Sequence, residues 1–202
     1  MLRVVLFLVL LSFGPQNEEP KCLAGQDGWS YCFTPEDREW FARALYCEAG
    51  SVQNEEEWQA VGWTLIHRFY QTEHVFHSFS RFLQEYCQCL NPEWGSGGSK
   101  RTSRDIVARV DEMRTRPMWS FPWATREMAI NLLAGRVADK WPTFVHFLAS
   151  GHESQANTSL FGPYYVTEAG QGRNAFYADS RSVKWLPAPV NLTERSNVEC
   201  RE

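Results

Sequence analysis

The chain lacks the basic surplus that a nucleic-acid binder needs: 20 Lys and Arg against 24 Asp and Glu leave a formal net charge of −4. Without a positive face to displace counterions from phosphates, nucleic acid is not an expected partner, and a strongly anionic polymer is disfavoured on the same ground. No apolar run reaches the roughly 20 residues that cross a bilayer comfortably. No internal repeat is present, which argues against a repeat architecture. Histidine is scarce, at five residues, and His67, His74 and His77 lie close together with no further ligands at metal spacing. No metal and no cofactor is therefore expected. No cysteine follows the first apolar stretch closely enough to be a lipidation site. Disorder is not the default either, because 44% of the residues are apolar, ample for a packed core.

What is present begins with "MLRVVLFLVLLSFG". One positive charge at Arg3 followed by an apolar segment is the anatomy of a secretory signal peptide, so residues 1–14 are read as a leader. Ser12 and Gly14 suit a cleavage site, but Pro15 would follow the cut, and a retained N-terminal anchor is the alternative. Only in that alternative does the chain meet a membrane. The expectation is export, to periplasm, cell envelope or medium. Cys22, Cys32, Cys47, Cys87, Cys89 and Cys200 fit an exported chain that oxidises; six cysteines allow many pairings and the sequence does not choose among them. The Cys87-x-Cys89 pair is too isolated to claim a zinc site.

Residues 15–33 are polar and turn-rich and read as a tether, pinned locally by Cys22 and Cys32. The domain proper runs over 34–186, and 187–202 reads as an extended tail. Thr34 is a good N-cap, Pro35 suits the first helical position, and Glu36 and Asp37 suit the positive end of the dipole. Phe41, Ala44 and Leu45 form the apolar stripe of this first helix, and Gly50 stops it. A second helix is capped by Asn54, with Glu57 at the capping-box position and Trp58, Val61, Leu65 and Phe69 as its stripe. "FSRFLQEYC" predicts a shorter third helix, 91–104 a loop, and "SRDIVARVDEMR" and "TREMAINLLAGRVAD" two more helices, with Gly135 an end or a tight packing point. "WPTFVHFLAS", "GPYYVTEAG" and "RNAFYADS" are short, aromatic and β-branched, which predicts strands or ordered loops. The fold class is thus α+β, predominantly α-helical, in one domain whose short strands or ordered loops fall in the C-terminal third. Most of the nine tryptophans belong to a core, and the remainder suit a platform for flat ligands such as sugar rings.

One residue breaks this pattern. Counting back from Glu48 by three, four and seven positions gives Leu45, Ala44 and Phe41, so a carboxylate shares the greasy face of the first helix. That is costly unless the group is paired or neutralised. Either Glu48 turns to solvent or pairs with Arg43 or Arg68, or it is a carboxylic acid that desolvation keeps able to donate a proton, as glycosidases require.

"RALYCEAG" and then "AVGWTLIHR" resemble the Y-x-E-A … A-V-x-x-V-x-x-N-R pattern of the SleB-type cell wall hydrolases, which are similar to lysozyme-like lytic transglycosylases acting on peptidoglycan. "EYCQCLNPEW" is similar to a Y-S-Q-P-x-N-P-x-W segment of that family, "LLAGRVADKWPTFVHF" to its A-x-x-G-x-x-D-P-T-x-G-A-T-H-F block, and "GRNAFY" to its closing G-N-x-F-Y. These blocks occur in the family's order over residues 36–180. The resemblance implies a lysozyme-like fold, a catalytic role for Glu48, and substrate binding by Tyr86, Gln88, Asn91, His146, Asn174 and Tyr177. Four departures stand out: His67 where Asn is usual, Cys87 and Cys89 in place of Ser and Pro, Arg173 inserted before Asn174, and no glycine-rich turn around Pro142. The implied partner is the glycan strand of peptidoglycan, bound by a monomer.

A lytic transglycosylase needs one acid/base, whereas a muramidase of the lysozyme kind needs two carboxylates across the bond. Glu55, Glu56, Glu57, Asp105 and Asp139 are the candidates for a second, and none lies in a defensible motif. The expectation is therefore cleavage of the β-1,4 bond between N-acetylmuramic acid and N-acetylglucosamine by Glu48 alone. The alternatives are a two-carboxylate muramidase and a catalytically silent peptidoglycan-binding or scaffold protein on the same fold.

Overall fold

Helix α1 (Pro35–Glu48) starts where its caps predict. The computed structural model to which it belongs describes residues 21–24, 29–50, 54–72, 75–93, 104–140, 144–149, 161–166, 174–179 and 192–193. The Thr34 hydroxyl accepts the Asp37 N–H at 3.2 Å and the Asp37 carboxylate takes the Thr34 N–H at 2.8 Å, a closed capping box. Asp37 does more than its place near the helix dipole suggested. It is fully buried and also accepts from the Tyr31 hydroxyl, the Thr34 hydroxyl and the Ser80 N–H at 2.9, 2.9 and 2.7 Å. One carboxylate thereby fastens the segment before α1 to the head of α3 (Phe79–Tyr86).

Helix α2 (Glu55–Gln71) is capped by Asn54, whose side chain accepts the Glu57 N–H at 3.3 Å. Its predicted stripe is buried, but so is every residue from Ala60 to His67, so α2 is enclosed on more than one face. Gly62 shows why: a Cβ there would strike the Leu132 side chain of α5 (Trp123–Leu133), with Phe41 of α1 close behind. Helix α4 (Arg104–Thr115) and a single 3₁₀ turn (Met118–Ser120) precede α5. Helix α5 begins earlier than its sequence pattern indicated and stops at Leu133. There Gly135, at φ +66°, lets its N–H reach the Leu132 carbonyl and the Arg136 N–H reach that of Asn131, at 3.0 and 2.9 Å. This is a Schellman stop, which needs the left-handed residue that glycine supplies. The helices close over a cluster of rings in which Phe33, Phe41 and Phe69 each meet Phe79 with centroids 5.1–5.2 Å apart. Burying each such side chain contributes about 1.5–3 kcal/mol.

Two antiparallel sheets complete the fold. The stretches read as a tether and as a tail meet in the first of them: β1 (Cys22–Ala24) pairs with β2 (Ser30–Cys32) on one side and with β6 (Leu192–Thr193) on the other. Cys22 lies opposite Cys32 and is bonded to it, the local pinning the sequence suggested. Leu23 is fully buried, so this part of the 15–33 stretch belongs to the core rather than hanging from it. The second sheet has the order β3-β5-β4, from β3 (Phe144–Ala149), β4 (Phe161–Val166) and β5 (Asn174–Asp179), the three segments whose composition predicted strands. Strand β3 lies against α2. The structure is thus mostly helical with small antiparallel sheets, as an α+β class requires. The leader at 1–14, most of the 91–104 loop and Cys200 lie outside the described residues. Among those described, no helix is long and apolar enough to cross a membrane.

Candidate active site

Glu48 is the last residue of α1, where Ala49 caps the helix and Gly50, at φ +72°, turns the chain away. It is partly buried, so it neither swings fully into solvent nor sinks into the core. The turn that follows α3 comes to meet it. A disulfide between Cys47 and Cys89, with Cα atoms 6.3 Å apart, ties that turn to the end of α1. The Cys89 sulfur stands 3.7 Å from Glu48 Oε1; a bridged sulfur has no hydrogen to give, so this is a contact and not a hydrogen bond.

Cys87 is a free thiol, 1% exposed, and it donates to the Glu48 carboxylate. Burial, then the Glu48 charge and that hydrogen bond, push the Cys87 thiol well above its ordinary pKa. Tyr86 is pushed up to about 12, chiefly by burial; the Arg68 charge opposes the shift, and Cys87 and Glu48 reinforce it. The Arg68 guanidinium lies over the Tyr86 ring, 5.8 Å from its centroid. A carboxylate, a thiol, a disulfide, a phenol and a guanidinium thus gather at one end of one helix.

Arg43, a candidate partner for Glu48 in the sequence, is engaged elsewhere. It donates to the carbonyls of Met113 and Arg116 at 2.8 and 2.7 Å and sits against Trp40 and Phe121. These bonds hold the end of α4 against α1. Arg114 secures the other side of the turn, donating to the Leu90 carbonyl at 2.7 Å and the Gln84 side chain at 3.0 Å.

Two clefts border this end of α1, one reached by Cys47 and Cys89 and the other by Tyr86, and Glu48 itself lines neither. The first, about 600 Å³, is bounded by Tyr46, Cys47, Gln88, Cys89, Val110 and Arg116. The second, about 590 Å³, is bounded by Phe76, Gln84, Tyr86, Asn91 and Arg114. Both volumes fall in the range of small-molecule sites. Gln88 is exposed at the first, where an amide can meet a ligand. Asn91 borders the second but works mainly as a turn fastener: it donates to the Glu85 carbonyl at 2.6 Å and accepts the Glu93 N–H at 2.8 Å. His146 stands directly across from Tyr177 in the β3–β5 register, and Asn174 across from Ala149.

Several carboxylates considered for a second catalytic role have other work. Asp139 Oδ2 accepts from His67 Nε2 at 2.8 Å, and this fully buried imidazole stacks on Trp63. His67 is therefore a core residue tied to the segment beyond α5. Glu55 accepts from Gln59 at 3.0 Å on an exposed surface, and Glu57 is fully buried at the start of α2. The Asp105 side chain is outside the described set.

Sequence reasoning missed the sulfur environment. The signal existed in one form: Cys47 directly precedes Glu48, and Cys87 and Cys89 bracket Gln88, so three of six cysteines sit inside the two motif blocks. Comparison with protein-family models, curated proteins and solved structures finds no match for this chain, so its chemistry rests on the residues themselves.

Proposed function

We propose that the protein cleaves peptidoglycan as a lytic transglycosylase of lysozyme-like fold, with Glu48 as its single acid/base. The observation that carries this reading is the position of Glu48: a partly buried carboxylate on the apolar face of α1, at the helix end, flanked by residues that line two clefts. A glycan strand is long and lies across such a bond with sugars on both sides. In this reading Glu48 protonates the glycosidic oxygen and then takes the proton from the muramic C6 hydroxyl as that oxygen attacks C1. The product is a 1,6-anhydro ring, and no water is consumed. Exposed Gln88 suits contact with an N-acetyl group. The commitments of Asp139 and Glu55 favour one acid over two, since a hydrolytic partner has to be free to hold a water.

The test is the product. Digestion of purified peptidoglycan is expected to give muropeptides ending in 1,6-anhydro-N-acetylmuramic acid, one water lighter than hydrolytic products, because the internal hydroxyl outcompetes water through proximity. Borohydride-reducible muramic ends as the main product would mean a two-carboxylate muramidase. Binding of peptidoglycan with nothing released would mean a silent binding protein.

A further inference from the structure

The most exposed large apolar side chains among the described residues are Trp119 and Trp123, 77% and 66% exposed. The single-acid mechanism uses neither. They stand on the segment 117–123, whose Phe121 turns inward and is buried. Pro117 and Pro122 fix the backbone ahead of the 3₁₀ turn and of α5. Arg116 fastens the segment by donating to the Ser120 hydroxyl and carbonyl at 2.9 and 3.0 Å, and that hydroxyl donates to the Pro117 carbonyl at 2.7 Å. The Arg126 guanidinium lies over the Trp123 ring, 5.5 Å from its centroid. A braced turn therefore carries two flat rings to the surface.

This turn continues the first cleft. Ile106, Arg109, Val110, Met113 and Arg116 line that cleft at helical spacing, so α4 forms one of its walls along about 15 Å. At the Arg116 end the wall runs into the turn. The guanidinium lies 4.9 Å from the Phe121 ring centroid and 5.2 Å from that of Tyr46, another lining residue, and Tyr46 meets Phe121 edge-on at 5.3 Å. A chain-like ligand lying along α4 past Arg116 meets this turn. Two tryptophans offer at most about 500 Å², short of the roughly 800 Å² a side that a stable protein interface buries. Separate rings on a polar turn suit the flat faces of successive sugars better than the face of a protein.

We propose that Trp119 and Trp123 form an aromatic platform outside the cleft, on which rings of a β-1,4-linked, N-acetylated glycan strand stack. The identity of the ligand rests on the peptidoglycan reading above; the platform rests on the two rings and the turn that braces them. The C–H groups on one face of such a sugar are apolar, and a tryptophan face covers them while the hydroxyls stay in water. The platform takes no part in proton transfer. It holds the strand equally before and during the reaction, so it lowers KM for long strands without raising kcat.

The test reads binding and does not depend on activity. A β-1,4-linked hexamer of N-acetylglucosamine is titrated into the full-length protein in a calorimeter. The double variant Trp119→Ala, Trp123→Ala is expected to bind it at least about 10-fold more weakly, and Trp119→Tyr, Trp123→Tyr to recover most of that loss by restoring flat rings. Val75→Ala, which trims exposed apolar surface elsewhere, should leave the affinity unchanged. All variants should melt as wild type does, since both rings lie outside the core. Failure of wild type to bind the hexamer, or equal binding by the double alanine variant, overturns the proposal; if that protein still releases anhydro muropeptides, the enzyme reading stands without the platform. Tryptophan-dependent binding by a protein that cleaves nothing keeps the platform and removes the catalytic role. A wild-type dimer in sedimentation that the double alanine variant dissolves, with hexamer affinity unchanged, would mean that a second copy of this chain covers the rings, and it too overturns the proposal.

Discussion

The two ends of α1 each hold a carboxylate with restricted access to water, and they are built on opposite principles. At the N-terminal end, Asp37 is fully buried and receives four donors, two of them backbone N–H groups at helix starts. The positive end of the dipole adds to its stability. At the C-terminal end, Glu48 faces the negative pole of the same helix, and a weakly donating thiol and a bridged sulfur stand against it. A negative charge at this end of a helix is unfavourable by about 0.3–1 kcal/mol. Where a carboxylate is only structural, the fold surrounds it with donors. The carboxylate at the other end is met instead by sulfur, from the Cys87 thiol and the Cys47–Cys89 bridge.

Exchanging the two residues' fates is the sharpest way to break this contrast. Glu48→Gln keeps the shape and removes the transferable proton, and it is expected to lower release of soluble muropeptides by ~10²–10⁴-fold, the usual contribution of a positioned general acid. Retention of a tenth of the wild-type rate would remove Glu48 from its role. Asp37→Ala should act on stability instead, costing about 1–3 kcal/mol in denaturant unfolding because the buried Ser80 N–H loses its acceptor and the capping box is broken. Should Asp37→Ala prove as stable as wild type while Glu48→Gln unfolds, the contrast is inverted and Glu48 is the structural residue.

Proton linkage at Cys87 gives a smaller effect. Its folded pKa is raised above the unfolded value of about 8.5, so its contribution is present in full below that value and is lost as pH rises toward the folded one. Stability should fall above about pH 8.5 with a slope of at most ~1.4 kcal/mol per pH unit from this group. Cys87→Ser should flatten that fall in a series of melts, and an unchanged slope would assign it to other groups. The smallest effect expected is on stability in Glu48→Gln, a gain of about 0.3–1 kcal/mol from relieving the helix C-terminus.

The sequence made the helices legible because their signals are local. Thr34, Pro35 and Asn54 cap where they should, Gly50 and Gly135 stop where they should, and the stripes of α1 and α2 are buried. Glu48 was legible for the same reason, as an exception to a periodic pattern. The second role of Asp37 was not, because its bond to Ser80 crosses 43 residues and nothing at either position announces the other. The Cys47–Cys89 bridge was equally hidden, since pairing depends on where α3 returns and not on spacing. Strands of two or three residues such as β1 and β6 carry no periodicity at all, which is why their segments read as tether and tail.

The pairing of β1 with β6 also sets an order of events in time. Cys22 and Thr193 are 171 positions apart, whereas Cys22 and Cys32 are separated by only 10. Bringing the distant pair together costs about 2.5 kcal/mol more in loop entropy than bringing the near one. A ribosome delivers β1 and β2 early and β6 last, so during synthesis the hairpin can exist with one edge bare, and that edge has no partner until residue 193 has been made. Once formed, the disulfide across the hairpin fixes its two strands in register, and the strand that closes the sheet is the last of the described elements to be made.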